Sequence, residues 1–186
     1  MVEVPEKKIR LIGAGGHGIL TLGRIIGEAA IRSGMEAVMT IGYSPAQRGG
    51  WSRADVIISN DRIDYPIFTN PDILVATTQE SYDIEYVNVG RDKTIIYEKS
   101  IVETRDLEGV RQIGIDAMER AIRLGARVVA NIIILGFMNT LLNILPEDAL
   151  IDTIKGRIKR KYIELNLRAY MDGKEYALEI MGGGDE

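Results

Sequence analysis

Six residues near the start of the chain, Gly13-Ala14-Gly15-Gly16-His17-Gly18, fit the G-x-G-x-x-G spacing and lie between a predicted strand and a predicted helix, the context that gives this spacing physical meaning. Glycines there remove Cβ atoms, permit positive φ and let backbone N–H groups at a helix N-terminus approach a phosphate or another anion. The same glycines would also serve a tight strand-to-helix turn that packs closely and holds no ligand. His17 is the only histidine, and histidine is the side-chain type that ordinarily exchanges protons near neutrality. It could donate to a bound anion or shuttle a proton. With no acidic residue beside it to orient the ring, a satisfied loop histidine is the plainer reading.

A second glycine-rich stretch, Gly42-Tyr43-Ser44-Pro45-Ala46-Gln47-Arg48-Gly49-Gly50-Trp51-Ser52-Arg53, is too rich in Gly and Pro for a regular element and reads as a long loop. In a parallel sheet the carboxyl ends of neighbouring strands share one edge, so the loops after the first and second strands should converge. Convergence would bring Arg48 and Arg53, with Ser44, Ser52, Gly49 and Gly50, towards the Gly13–Gly18 amides as donors for phosphate or carboxylate. The alternative is that Arg48 braces its own loop through carbonyls or a carboxylate such as Asp55. Tyr43 and Trp51 bracket the loop, where aromatic rings either anchor it or meet another protein or a flat cofactor. The Gly-Gly pair beside Trp51 lets another backbone come close, which favours an interface.

What the chain lacks narrows the chemistry. A dinucleotide-binding fold places an acid at the end of its second strand to hold the adenosine ribose; that position here offers Thr40-Ile41-Gly42, with Glu36 at the strand's other end. There is no cysteine, so these residues can hold neither a disulfide nor a thiolate-ligated iron–sulfur cluster. With one histidine, a zinc or non-haem iron centre would need an all-oxygen shell or a lone imidazole, and no metal site is expected. A net charge of −4 without a basic block argues against nucleic-acid binding. The stretch from Met1 to Lys8 carries Pro5 and mixed charges and is no signal peptide, so a cytoplasmic location is expected. The long apolar stretch from Val128 to Leu145 contains Asn131, Asn139 and Asn143, and reads as a buried helix at the core or a subunit contact rather than a membrane span.

The elements that must position these residues follow from periodicity. Lys8–Ile12 is a strand stopping at Gly13, and Leu20, Leu22, Ile25, Ile26, Ala29 and Ala30 mark a helix that Gly34 ends. Met35–Ile41 reads as the next strand, completing a strand–helix–strand unit and implying a parallel sheet. Ala54–Ser59 and Arg62–Tyr65 flank Asn60-Asp61, a turn pair that could close a hairpin. Strands at Asp72–Thr77, Lys93–Tyr97 and Arg111–Ile115 alternate with a short helix over Gln79–Val87 and a helix capped by Asp116. Two further helices begin at Pro146-Glu147-Asp148 and around Tyr162–Met171, before a frayed Gly182-Gly183-Gly184 tail. The pattern predicts a three-layer, doubly wound, Rossmann-like α/β fold with a mainly parallel sheet and C-terminal helices. One domain over 1–186 is expected, with 1–7 and 182–186 flexible.

These loops and the segments after them resemble the gamma subunit, or gamma domain, of 2-oxoacid:ferredoxin oxidoreductases over most of the chain. Gly13–Gly18 is similar to the family's Gly-x-Gly-Gly-Gln-Gly opening, with His17 where Gln is usual. Tyr43-Ser44-Pro45-Ala46-Gln47-Arg48-Gly49-Gly50 resembles its Tyr-Gly-Pro-Glu-Ala-Arg-Gly-Gly loop. Ser52, Val56-Ile57-Ile58-Ser59, Asp64-Tyr65-Pro66, Pro71-Asp72-Ile73-Leu74-Val75-Ala76 and Gln79-Glu80 follow in the family's order. The resemblance implies a subunit of an oxidoreductase that converts a 2-oxoacid, coenzyme A and oxidised ferredoxin into acyl-CoA, CO₂ and reduced ferredoxin. It implies alpha and beta partner subunits, with delta in some assemblies, which carry thiamine diphosphate, Mg and iron–sulfur clusters and meet ferredoxin. This chain would pack against alpha on the coenzyme A side, hold no catalytic group and be inactive alone. Arg48 or Arg53 would then neutralise coenzyme A phosphates cradled by the glycine amides. A stand-alone nucleotide-binding Rossmann-like enzyme and a purely architectural subunit remain the alternatives.

Overall fold

The computed structural model describes residues 6–45 and 50–183, and the chain divides after Ile115 into two compact units, where the sequence alone suggests a single domain. The first unit contains strands β1 (Lys7–Ala14), β2 (Glu36–Tyr43), β3 (Trp51–Ser59), β4 (Ile73–Ala76), β5 (Thr94–Glu98) and β6 (Arg111–Ile115). Between them run helices α1 (Ile19–Arg32) and α2 (Gln79–Glu85), the latter extended by a 3₁₀ turn at Tyr86–Asn88. All six strands form one sheet in the order β2-β3-β1-β4-β5-β6. The pairs β1–β4, β4–β5 and β5–β6 are parallel, whereas β3 is antiparallel to both its neighbours.

Two expectations are corrected here. Strands β1 and β2 run in the same direction but do not touch, because β3 is inserted between them. The expected hairpin around Asn60-Asp61 is absent; β3 instead pairs back onto β2, and the Gly- and Pro-rich segment is the hairpin's connection, closed by the Ser44 N–H donating to the Trp51 carbonyl at 2.9 Å. Residues 42–43 and 51–53, assigned to loop by composition, are therefore strand. Arg62 and Asp64 pair with each other in solvent, and with no apolar side chains to bury beyond a half-covered Ile63, that stretch forms no strand.

Burial explains the layers. Strand β4 is buried along its whole length, as expected of a strand flanked by parallel neighbours and covered on both faces. Helix α1 buries Leu22, Ile25, Ile26, Ala29 and Ala30 at helical spacing, each large side chain worth about 1.5–3 kcal/mol. A Cβ on Gly23 would stand 2.9 Å from the Cβ of Ala54, so α1 lies close on the Ala54 face of β3. The other face carries α2 and a cluster of Ile12, Leu74, Ala76, Tyr82, Val89, Ile95 and Val102.

The second unit holds α3 (Ala117–Arg123), α4 (Ala130–Leu142), α5 (Glu147–Arg157) and α6 (Ile163–Gly182). Helix α4 is buried from Ala130 to Asn139, and among the described residues no helix is long and apolar enough to cross a membrane. Its amide at Asn139 is satisfied by the carbonyl and N–H of Leu145, at 3.0 and 2.9 Å. Helix α6 continues past the expected end near Met171 and includes Gly182. The reason is Tyr170, Gly173 and Ala177, buried at spacings of one helix face. A Cβ on Gly136 would lie 2.0 Å from the Tyr170 carbonyl oxygen, and one on Gly173 would lie 1.9 Å from that of Ile133. The two backbones therefore meet through a reciprocal glycine pair. Burial pushes the neighbouring Tyr170 phenol up to about 12.

Candidate functional site

The carboxyl ends of β1 and β2 and the amino end of β3 share one sheet edge, where Gly13 stands opposite Ser52, Ala14 opposite Trp51, and Tyr43 opposite Ser52. There the two glycine loops meet: the Gly15 N–H donates to the Gly50 carbonyl at 3.1 Å. The turn after β1 closes with the His17 N–H on the Ala14 carbonyl at 3.1 Å. It needs φ of +90° at Gly16 and +74° at Gly18, a region costly for residues with a Cβ. Gly18 is also the N-cap of α1, so no side chain caps that end, and no acid occupies the first turn. No acid of its own first turn therefore offsets the positive end of the α1 dipole. Arg48 and Gly49 lie outside the described residues.

Strand order places a further pair here that sequence reasoning missed. Helices α1 and α2 leave β1 and β4 for opposite faces, which makes the gap between these strands the topological switch point where open α/β sheets bind ligands. Thr77 follows β4, its N–H donating to the Ile12 carbonyl at 3.1 Å. Its hydroxyl oxygen lies 2.9 Å from Nδ1 of His17 and only 2.0 Å from where a Cβ on Gly13 would fall. Gly13 is glycine because Thr77 occupies that space. Thr78 caps α2, accepting from the Ser81 N–H at 3.2 Å. The signal was their position at the end of the strand predicted over Asp72–Thr77 and directly after it, but its weight depends on β4 being the neighbour of β1, which periodicity does not reveal.

Arg53 does not join the glycine amides. Ser52 is buried and shares the Ala54 face with α1, whereas Arg53 is turned to the α2 face. Arg53 donates to Oε1 of Glu85 at 3.1 Å, lies 3.7 Å from Oδ2 of Asp55, and covers the Trp51 ring at 5.8 Å. Behind it, Arg10 stands directly opposite Asp55 and grips both its oxygens, at 2.8 and 2.7 Å. Arg10 also donates to Oε2 of Glu85 at 2.7 Å and to the Phe68 carbonyl at 2.9 Å. Asn88 adds a bond to Glu85 at 3.0 Å. Arg10, Asp55 and Glu85 are each at most 5% exposed, and with Arg53 the formal charges cancel. Burial alone would lower the Arg10 guanidinium, but hydrogen bonds and charge from Asp55 and Glu85 hold it above its ordinary value. The carboxylate expected as a brace for Arg48, Asp55, is thus engaged by Arg10 and approached by Arg53.

The edge therefore offers backbone N–H groups, one imidazole and threonine hydroxyls, the repertoire of a binding surface for an anion. The one side chain hydrogen-bonded to the His17 ring is the Thr77 hydroxyl, and no carboxylate is hydrogen-bonded to that ring among the described residues to orient it as a general base. The dinucleotide reading weakens further, because the strand after α1 is not the neighbour of β1 and its carboxyl end, Thr40-Ile41-Gly42-Tyr43, carries no acid.

Comparison with known proteins agrees with this architecture. The model of the family described as pyruvate ferredoxin/flavodoxin oxidoreductase matches residues 8–176. The 2-oxoglutarate synthase subunit KorC of Methanocaldococcus jannaschii is 34% identical, over 94% of this chain and 96% of its own length. The ketoisovalerate oxidoreductase subunit VorA of Methanothermobacter thermautotrophicus is 36% identical over 97% of this chain, which spans only 38% of that longer protein. Among solved structures, the gamma subunit of a keto/oxoacid ferredoxin oxidoreductase from Geobacter sulfurreducens superimposes with a TM-score of 0.82 at 30% identity, covering 93% of this chain and 99% of that one. The 2-oxoglutarate:ferredoxin oxidoreductase of Magnetococcus marinus, solved with 2-oxoglutarate, coenzyme A and succinyl-CoA bound, shares the fold at a TM-score of 0.85 and 23% identity, over 95% of this chain and 32% of that one.

Proposed function

The chain belongs to the pyruvate ferredoxin/flavodoxin oxidoreductase family, and from that premise we propose that it is the gamma-type subunit of a multi-subunit 2-oxoacid:ferredoxin oxidoreductase. Such an enzyme decarboxylates a 2-oxoacid oxidatively to acyl-CoA and CO₂ and passes the electrons to ferredoxin. Alpha and beta subunits, with delta where present, are the partners, and the assembly works in the cytoplasm. The reading is supported by relatives of nearly equal length named as subunits of 2-oxoglutarate synthase and by a gamma-subunit structure matched over 93% of this chain and 99% of its own.

In this division of labour the present chain binds and positions. Its 186 residues include no cysteine and one histidine, a donor set that does not fit an iron–sulfur cluster. The clusters, and the thiamine diphosphate with its Mg, belong to the partner subunits. The chain's own contribution is the sheet edge, and the observation that carries it is the Gly15–Gly50 hydrogen bond, which joins both glycine loops into one surface. That surface takes the phosphates of coenzyme A: the Gly16 amide and the first-turn N–H groups of α1 supply donors, and Arg48 supplies countercharge. Coenzyme A is the ligand to test because an enzyme of the same fold was solved with it bound.

In the assembled enzyme, Arg48→Ala should raise the coenzyme A KM about tenfold or more and leave the 2-oxoacid KM in place, the loss of one charge-assisted contact. An unchanged coenzyme A KM would reduce both loops to an architectural role against the partners.

A further inference from the structure

We propose that Glu85 is a positioning residue which, acting through Arg53, sets the Gly50–Trp51 end of β3 against the Gly13–Gly18 turn. The inference rests on the reading of that edge as the coenzyme A surface and names what holds it in shape.

A buried ion-pair network contributes little net stability compared with apolar packing, since desolvation offsets the Coulomb attraction. What the network does contribute is geometry. Strand β3 is the one antiparallel member of the sheet, and its register on β1 is marked by Arg10 facing Asp55 across the ladder with both carboxylate oxygens engaged. A slip by one residue would carry Asp55 to the α1 face and break the pair. Glu85 extends this hold outward. Its Oε2 accepts from Arg10 and Asn88, while its Oε1 accepts from Arg53.

Arg53 is the member of the network nearest the edge. Its guanidinium covers the Trp51 ring at 5.8 Å, and its Nε would be 3.4 Å from a Cβ on Gly42 of the neighbouring strand. It therefore lies over β2 and β3 at once, where the Trp51 carbonyl accepts from Ser44 and the Gly50 carbonyl accepts from Gly15. Glu85, on the far side of the sheet from α1, thereby reaches the surface that α1 begins. It touches none of the glycine amides itself and acts only by fixing Arg53.

Trp51 is the chain's single tryptophan, so a fluorine label on tryptophan reports this spot alone in the purified full chain. Glu85→Gln should move the Trp51 fluorine resonance to where Arg53→Met moves it, whereas Asn88→Ala, which removes a Glu85 partner without touching Arg53, should not. In the assembled enzyme Glu85→Gln should raise the coenzyme A KM about fivefold with kcat within about twofold, as for a displaced binding element. If Glu85→Gln is poorly folded, Glu85→Asp keeps the charge that balances Arg10 while drawing the carboxylate back from Arg53, and should move both readouts in the same direction. An unmoved resonance in the folded variants overturns the proposal. So does a coenzyme A KM that responds to Arg48→Ala but not to Glu85→Gln. A moved resonance with a KM indifferent to both substitutions supports the positioning role and overturns the coenzyme A reading instead.

Discussion

At the scale of single residues, the glycine turn shows how much a motif says and where it stops. The spacing Gly13, Gly15, Gly18 marked a strand-to-helix turn, and the structure adds two reasons for glycine there: close approach at Gly13, and left-handed backbone at Gly18 and the intervening Gly16. The convergence of Gly15 with Gly50 was legible because both follow strands of one direction. Arg53 was misplaced because side-chain direction alternates along a strand whose start composition had hidden. A testable distinction follows between the two kinds of glycine. Gly13→Ala sets a Cβ 2.0 Å from the Thr77 hydroxyl oxygen and 3.0 Å from Ile19, and should cost about 1–3 kcal/mol in urea unfolding. Adding Thr77→Ala removes that oxygen and should recover about 1 kcal/mol or more of the loss, a coupling visible in a double-mutant cycle. Gly16→Ala meets open space but keeps φ at +90°, so its cost of about 1 kcal/mol should not depend on Thr77.

At the scale of elements, periodicity found β1, α1, β4, β5 and the apolar α4, because each carries an apolar stripe or run. It found β3 only from Ala54 onward. The early part of that strand reads Trp51-Ser52-Arg53, and Arg53 and Asp55 look like solvent residues until Arg10 and Glu85 are seen to pair with them. Strand partnership was beyond reach, since nothing local says that the Gly-Pro loop turns β2 onto β3. Helix α6 runs past the expected end near Met171, and within it Gly173 marks a close contact. Its counterpart in α4 gives a sharp expectation: Gly136→Ala would drive a Cβ to 2.0 Å from the Tyr170 carbonyl oxygen. Backbone cannot yield as a side-chain tip does, so α4 and α6 must separate, at about 3 kcal/mol or more. Calorimetry would register the lowered melting temperature, and an unchanged one would mean the helices pack less closely than described.

At the scale of the whole molecule, function depends on what the chain does not contain. With no cysteine in its sequence, the chain cannot itself ligate the iron–sulfur clusters that the proposed reaction needs. Affinity capture from its native cell should return larger subunits together with thiamine and iron, while the purified chain alone should carry neither and turn over no 2-oxoacid. Recovery as a lone homo-oligomer free of both cofactors would overturn the assignment. The insertion of β3 also bears on how the molecule is made. Strand β1 has no neighbour in the sheet except β3 and β4, so a chain leaving the ribosome amino end first cannot seat β1 and α1 until it has been synthesised through Ser59, the end of β3. Until then the apolar residues of both stay uncovered, open to chaperones and to one another. The hairpin of β2 and β3, consecutive along the chain, can form on its own and serve as the template onto which the older strand is laid.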